Sequence, residues 1–414
     1  MSSEDDTESE YLSTSSDENN QQNENLQLEG NILKNYNIIC EIGRGAYSIV
    51  WLAFNITNNN FYALKVQDPS EFKAGKQEIE FVEKLPKSPA VFNNIIESFI
   101  EIKNSKKYLC SVWELHCSNI DCLLRKGNYT DGFPIDIVKK IMKQLTEAIK
   151  ILHKKFRVFH GDIKTDNILI KGVNDRDSFL IRRYNEEKFF DKYSQAKKDY
   201  WLDKGKKIDK MKSEEKLYIR LAIHKRITEK IMQEYNDSDI SKYSINQKYL
   251  EEMNISLADF GTHCNEDNYY EEPFGTRYYM APEIILMGKC SLPVDIWALG
   301  CTFYELLTGN ILFDPIKDSN HSRDYYHLKL ICETSGEFSP SFIKKTKYGS
   351  DYFDSKCKLK GYEYPSNLNR LDRKLESIPD EIKSTVRDFF KGMLSINPSK
   401  RWTIDKVNCY PCQP

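Results

Sequence analysis

His160-Gly161-Asp162-Ile163-Lys164-Thr165-Asp166-Asn167 decides the reading of this chain. It gathers a carboxylate, an ammonium group and an amide into one short segment. Directly before it, IDIVKKIMKQLTEAIKILHKK carries Ile137, Ile141, Leu145, Ile149 and Leu152 at near-i+4 spacing, which predicts one helix with a buried stripe. Asp162 is placed to orient an attacking hydroxyl and accept its proton. Lys164 is placed to neutralise a transferring phosphate, and Asn167 to ligate a metal. Further on, Asp259-Phe260-Gly261 follows a short apolar strand and supplies a metal carboxylate. Magnesium favours one or two carboxylates plus phosphate oxygens over an all-protein cage, and Asn167 with Asp259 suits that habit.

Upstream, Gly43-Arg44-Gly45-Ala46-Tyr47-Ser48-Ile49-Val50 ends one predicted strand and opens another. Two glycines let a hairpin backbone approach phosphate oxygens that a Cβ would obstruct. The loop leads into a strand and not a helix, which excludes the Rossmann and Walker-A readings. Ala63-Leu64-Lys65 puts an ammonium group mid-strand, a short hairpin beyond that loop. Glu78, on the helix predicted over FKAGKQEIEFVEKL, is the carboxylate expected to hold it.

The runs YNIICEIG, SIVWLAF, NNFYALKV, ESFIEI and YLCSVWEL predict an antiparallel sheet of about five strands. A sheet-rich lobe over 36–115 should therefore precede a larger helical one over 116–410. Residues 171–253 hold twenty Lys or Arg and sixteen Asp or Glu, with no Pro. They read as a solvated, partly helical insertion in the larger lobe, between the strands NILI and ISL. Residues 1–30 carry nine Asp or Glu and no Lys or Arg, and read as a disordered acidic tail. Within it, Ser13, Thr14 and Ser15 lie close to acidic residues that an acid-directed kinase would recognise.

Composition bounds the answer. The 414 residues carry 60 Lys+Arg against 62 Asp+Glu, so no wholesale phosphate-backbone binder is expected. Divided, the tail carries -9, the insertion +4 and the remainder +3. No run approaches the ~20 apolar residues of a membrane span, and the acidic, Ser-rich start fits neither a signal nor a transit peptide. Eleven scattered cysteines read as reduced thiols of an intracellular protein.

The pieces above, with Ala281-Pro282-Glu283, occur in the order of the protein-kinase set, and the chain resembles eukaryotic-type protein kinases from about Tyr36 to Tyr410. The resemblance implies an α+β, bilobal kinase fold. It implies ATP and Mg2+ as cofactors, Asp162, Lys164 and Thr276 as catalytic residues, and Asn167 and Asp259 as metal ligands. It also implies nucleotide contacts from Ile42, Gly43, Gly45, Ser48, Val50, Ala63, Lys65, Glu78, Glu114 and His116, with Trp113 behind the adenine. Asp295 to Gly300 resembles the helix that anchors the catalytic loop, and Arg401 the arginine that pairs with Glu283.

Thr276 and Lys164 follow the Ser/Thr-kinase pattern. Ser322-Arg323-Asp324 with His327, and Lys347-Tyr348 with Asp351-Tyr352-Phe353, resemble the SR-protein kinases, which phosphorylate arginine–serine repeats. The insertion falls where that family has its spacer. Glu333 matches one acidic docking position, and Tyr326 replaces another. Gly161 replaces the arginine that commonly receives an activation-loop phosphate, so activity without such phosphorylation is expected. The expected partners are protein substrates, Arg/Ser-rich ones included, with no direct nucleic acid or membrane, in a monomer of the cytoplasm or also the nucleus. The rival readings are a pseudokinase or scaffold without turnover, which usually lacks one of the set present here, and a small-molecule kinase of the same fold. Cys409-Tyr410-Pro411-Cys412 lacks the second pair that a zinc site needs.

Overall fold

The computed structural model describes residues 27–45, 47–103, 105–204, 211–266, 272–317, 320–363, 370–376 and 378–409. Two compact units emerge, each formed by separate stretches of chain. The first takes the chain up to Lys84, then Asn94–Leu115 and Val173–Ser244; the second takes Leu85–Asn93, His116–Gly172 and the chain from Ile245.

The first unit is built on a six-stranded antiparallel sheet. Its strands are β1 (Ile32–Leu33), β2 (Tyr36–Arg44), β3 (Ser48–Asn55), β4 (Asn60–Gln67), β5 (Ile95–Lys103) and β6 (Lys106–Trp113), in the order β1-β2-β3-β4-β6-β5. Helix α1 (Phe72–Val82) buries Glu78, Ile79 and Val82. Five of these strands match the runs read from the sequence. The sixth, β1, is two residues long and too short to show as a pattern. On one sheet face Trp51, Ala53, Leu64, Val66, Cys110 and Val112 form a closed apolar cluster that also takes in Leu28. Of the tail expected over 1–30, residues 1–26 lie outside the described residues, and Leu28 is 1% exposed in the sheet core.

The second unit follows in chain order with β7 (His116–Asn119), α2 (Ile120–Lys126), α3 (Ile135–Ile151), β8 (Val158–Phe159) and β9 (Ile168–Lys171). In α3 the buried stripe is Val138, Ile141, Leu145 and Ile149, with Leu152 buried just past its end; Ile137 is only half-buried. Helices α4 (Asp175–Glu186), α5 (Phe189–Lys204) and α6 (Ser213–Asn236) belong to the first unit. The second unit resumes with α7 (Gln247–Glu252), β10 (Ile255–Leu257) and β11 (Cys264–Asn265). β10 pairs antiparallel with β9, Leu257 opposite Ile168, so the insertion interrupts one ladder, as the strand reading expected. α8 (Pro282–Ile285), α9 (Pro293–Thr308) and α10 (Arg323–Ser335) complete the elements needed below. α9 is buried on all sides from Val294 to Leu306, the signature of a core helix.

The insertion does not behave as read. It was expected as a solvated part of the larger lobe, but Val173–Ser244 packs into the first unit. Leu180 and Tyr184 of α4, Phe189 of α5, and Ile227 and Ile231 of α6 bury Ile39, Cys40, Leu52 and Phe54 of the sheet. Polar groups are matched as well. Asn37 donates to the Tyr184 hydroxyl at 2.8 Å and accepts from Arg220 at 2.8 Å. His224 Nε2 donates to the Ile38 carbonyl at 2.8 Å, and burial lowers that imidazole to about 4, which keeps it neutral. The charges misled the sequence reading because most of them, though not Asp177, Glu187 or Arg220, are at least partly exposed, whereas Leu180, Tyr184, Ile227 and Ile231 are buried against the sheet.

Candidate active site

Residues 160–167 run from the end of β8 to the start of β9, so short ladders pin both ends. β8 pairs with β11 and β9 with β10. Asp295 of α9, fully buried, holds the segment from below: Oδ2 accepts from the His160 amide at 2.8 Å and Oδ1 from the Gly161 amide at 3.0 Å. The His153 Nε2 lies 2.9 Å from the same carboxylate. This leaves few degrees of freedom for the residue that follows, Asp162.

The structure brings three of the expected residues together around Asp162. The Thr276 amide donates to its Oδ1 at 2.7 Å, and Lys164 Nζ stands 3.1 Å from its Oδ2. Lys164 Nζ also donates to Thr276 Oγ1 at 2.6 Å. The Asn167 amide nitrogen donates to the Asp162 carbonyl at 2.8 Å. Burial works against the charge on Asp162, but Lys164 and the Thr276 contact outweigh it and hold the carboxyl below its ordinary range. A base kept ionised and fixed beside an ammonium group is suited to orienting a hydroxyl for in-line attack on a phosphoryl group.

Two glycines here are required by geometry. Gly161 has φ +82°, and a Cβ would stand 2.9 Å from the Thr262 carbonyl. Gly275 has φ +78°, and its Cβ would stand 2.5 Å from the Gly161 carbonyl. A side chain at the position where a phosphate-receiving arginine would stand is thus strained, and Gly161 itself offers no group to a phosphate. A fixed pair stands nearby instead: Glu266 binds Arg157 through its carboxylate, and its amide donates to the Arg157 carbonyl at 3.1 Å. Of the other acidic residues in that loop, Asp267 and Glu271 lie outside the described residues.

The metal pair fits a hard cation sharing phosphate oxygens. Asn167 spends its amide nitrogen on Asp162, so its amide oxygen is the group that would ligate a cation. The Ala258 amide donates to the Asn167 carbonyl at 2.9 Å, so Asp259 follows immediately across the ladder. Asp259 has φ +63°, and Phe260 behind it is buried against Phe92 and His160. Among the described residues, no group of three or more His, Cys, Asp or Glu could hold a metal. One carboxylate and one amide therefore suit magnesium with nucleotide phosphates and would not make a structural metal site.

In the first unit, Lys65 Nζ donates to Glu78 Oε2 at 2.9 Å, with Glu78 only 5% exposed. Val50 stands opposite Lys65 in the ladder, and Ala63 opposite Trp113. Gly43 pairs with Val50, and the Gly45 amide donates to the Ser48 carbonyl at 2.9 Å. Ala46, between them, is outside the described residues. Unlike Gly161, neither Gly43 nor Gly45 is forced: a Cβ would meet nothing closer than 3.6 Å. Their smallness is thus unused by the fold. Ile42 packs at the margin of the cluster formed with the insertion, and Trp113 donates to Ser111 Oγ at 2.9 Å. Glu114 belongs to the first unit and His116 to the second.

Glu283 and Arg401 form the expected pair, bidentate at 2.7 and 3.0 Å and almost fully buried. Sequence reasoning missed Glu305. Its carboxylate accepts from Tyr279 at 2.5 Å, binds Arg125, and lies 3.4 Å from Thr165 Oγ1, joining α9 to both the segment after Thr276 and the one after Lys164. Burial pushes that carboxyl up to about 7, against the pull of Tyr279 and Arg125. Its only sequence signal was a glutamate inside an apolar helix. Glu333, read as a docking acid, is 5% exposed and accepts from the Tyr362 hydroxyl at 3.0 Å.

This constellation is that of a phosphoryl-transfer enzyme, and comparison with known proteins agrees. The model of the protein kinase domain matches residues 36–181 and 245–412, and the chain belongs to that family. It is a serine/threonine protein kinase with the two-lobed kinase fold, and its phosphotransfer is ATP-dependent. A relative from Acanthamoeba polyphaga mimivirus, provisionally described as serine/threonine-protein kinase L205, is 28% identical over 96% of this chain and 91% of its own. Serine/threonine-protein kinase SRPK of Physarum polycephalum is 28% identical over 89% and 83%. Protein kinase dsk1 of Schizosaccharomyces pombe is 22% identical over 89% and 78%. Nothing in these likenesses supports the pseudokinase reading. No helix among the described residues is long and apolar enough to cross a membrane.

Proposed function

We propose that the chain moves the ATP γ-phosphoryl group to Ser or Thr hydroxyls with Asp162 as the positioning base. The observation that carries this reading is the closed set of contacts joining Asp162, Lys164, Asn167 and Thr276. Asp162 orients the acceptor hydroxyl and takes its proton. Lys164 balances charge on the group in flight, and Thr276 fixes Lys164. Lys65, held by Glu78, steadies the nucleotide phosphates. Asn167 and Asp259 hold magnesium, which when bound neutralises phosphate charge. Ile42, Val50 and Ala63 flank the base, Ser48 closes the glycine hairpin, and the Glu114 and His116 backbones hydrogen-bond the adenine. Gly45→Ala leaves the melting temperature unchanged and raises the KM for ATP by about tenfold; an unchanged KM removes the glycine hairpin from nucleotide binding.

Turnover proceeds without activation-loop phosphorylation, because Gly161 offers no group to a phosphate and the Glu266–Arg157 pair already anchors the loop. Phosphatase-treated enzyme keeps its kcat, while Glu266→Ala lowers it severalfold. Loss of turnover after phosphatase treatment contradicts this account.

The substrates are protein segments, Arg/Ser-rich ones among them. The likeness to a relative named SRPK supports that choice, and the engaged Glu333 with Tyr326 in place of an acid argues that any such preference is read at the active site and not by remote docking. A peptide array of Arg-Ser repeats, acidic peptides and Pro-directed peptides tests it. Preferred phosphorylation of the latter two classes overturns the Arg/Ser assignment. A monomer working in the cytoplasm and nucleus is the setting this reading implies.

A further inference from the structure

Away from the transfer chemistry, the second unit holds a cavity of about 440 Å³ between the C-terminal end of α10 and that of helix Asp380–Met393. That volume falls in the range of small-ligand sites. Its floor is apolar, with Leu371, Phe390, Leu394 and Ile396 all buried. Four hydroxyl residues line it; Ser339 and Ser395 have hydrogen-bond partners, whereas Thr334 Oγ1 and Ser335 Oγ have none. Thr334 is nine-tenths buried. An unsatisfied buried hydroxyl is costly, and a bound oxygen would relieve it.

The rim supplies charge. Lys391 and Lys400 line the cavity with exposed side chains, and the carboxylate present, Glu337, is occupied by Lys358. Gly336 leaves the wall open, since a Cβ there would have nothing within 4 Å. An apolar floor, free hydroxyls and two ammonium groups together define the ligand's chemistry.

We propose that this cavity binds a small amphipathic carboxylate, its apolar body against Phe390 and Ile396 and its anionic head between the hydroxyls and the rim lysines. Its occupancy is coupled to α8, which follows Thr276 in the chain. Ser395 and Ile396, in the cavity wall, accept from Arg401 at 2.9 and 3.3 Å, and Arg401 holds Glu283 of α8. A ligand pressing on that wall shifts the carbonyls that aim Arg401. This site is separate from the phosphotransfer reading and does not depend on it.

The test is calorimetric titration of the full chain with octanoate, octanol and octylamine, on the wild type, on the rim variant K391E/K400E and on Ser335→Leu. Octanoate is expected to bind saturably, and octanol and octylamine each to bind more weakly than octanoate. The rim variant, whose changes are both on exposed side chains, keeps its melting temperature and binds octanoate about tenfold more weakly. Octanoate also changes the KM for protein substrate in the wild type and not in the rim variant. Absence of saturable binding, or equal binding by the rim variant, or equal binding of octanol and octylamine, overturns the site. Binding with an unchanged substrate KM overturns the link through Arg401. Ser335→Leu separates the hydroxyl from the charges: it is expected to weaken octanoate binding, and unchanged binding rejects the hydroxyl contact.

Discussion

A chain lacking residues 175–243 loses the cooperative folding of its first unit. The cut can be closed without strain, because the Asp175 amide donates to the Ser244 carbonyl at 3.0 Å. What is lost is burial. Leu180, Tyr184, Phe189, Ile227 and Ile231 are each at most 3% exposed in the cluster that covers Ile39, Leu52 and Phe54. At about 1.5–3 kcal/mol per buried side chain, their removal rivals the 5–15 kcal/mol of a typical domain. Arg220 and His224 go with them, leaving Asn37 and the Ile38 carbonyl short of partners. Thermal melts and amide exchange in β2 and β3 read the outcome directly. A deletion variant with the parent melting temperature and protected β2 amides would falsify the structural role assigned to the insertion.

Arg401→Leu is the second large effect. It leaves Glu283 as an uncompensated charge, 2% exposed, and abandons the Ser395, Ile396 and Pro293 carbonyls. Breaking one side of such a pair costs about 3–5 kcal/mol, a fall in melting temperature of about 6–20 °C. Removing both charges, Arg401→Leu with Glu283→Leu, is expected to cost less than the separate effects added together, because the stranded carboxylate is gone. Additive losses in that cycle would show that the two residues do not act as a pair.

The transfer chemistry was legible because it demands fixed residue types at short spacing. Asp162, Lys164 and Asn167 lie within one loop, and Asp259 sits one ladder away across β9 and β10. The sheet was legible for a similar reason: β2 and β3 are apolar on faces that both find cover, and β5 still shows as an alternating run although Ile96, Ile100 and Ile102 are exposed. Legibility failed where contacts join distant stretches. Nothing local says that Arg220 will meet Asn37, or that Arg125, Thr165 and Tyr279 will converge on Glu305. The insertion was misjudged from its net composition, which counts the solvated face of α6 and hides its inner stripe. Gly161 was read as a missing arginine; its backbone conformation adds that a side chain there would be strained.

The central claim is that Asp162, held by Thr276 and Lys164, performs the transfer. It is tested by incorporation of labelled phosphate from ATP into protein substrate by wild type and Asp162→Ala, with nucleotide binding measured on both. The account predicts a fall of about 10²–10⁴-fold in kcat, with ATP affinity and melting temperature close to the parent's. Turnover by Asp162→Ala at the wild-type rate would contradict it.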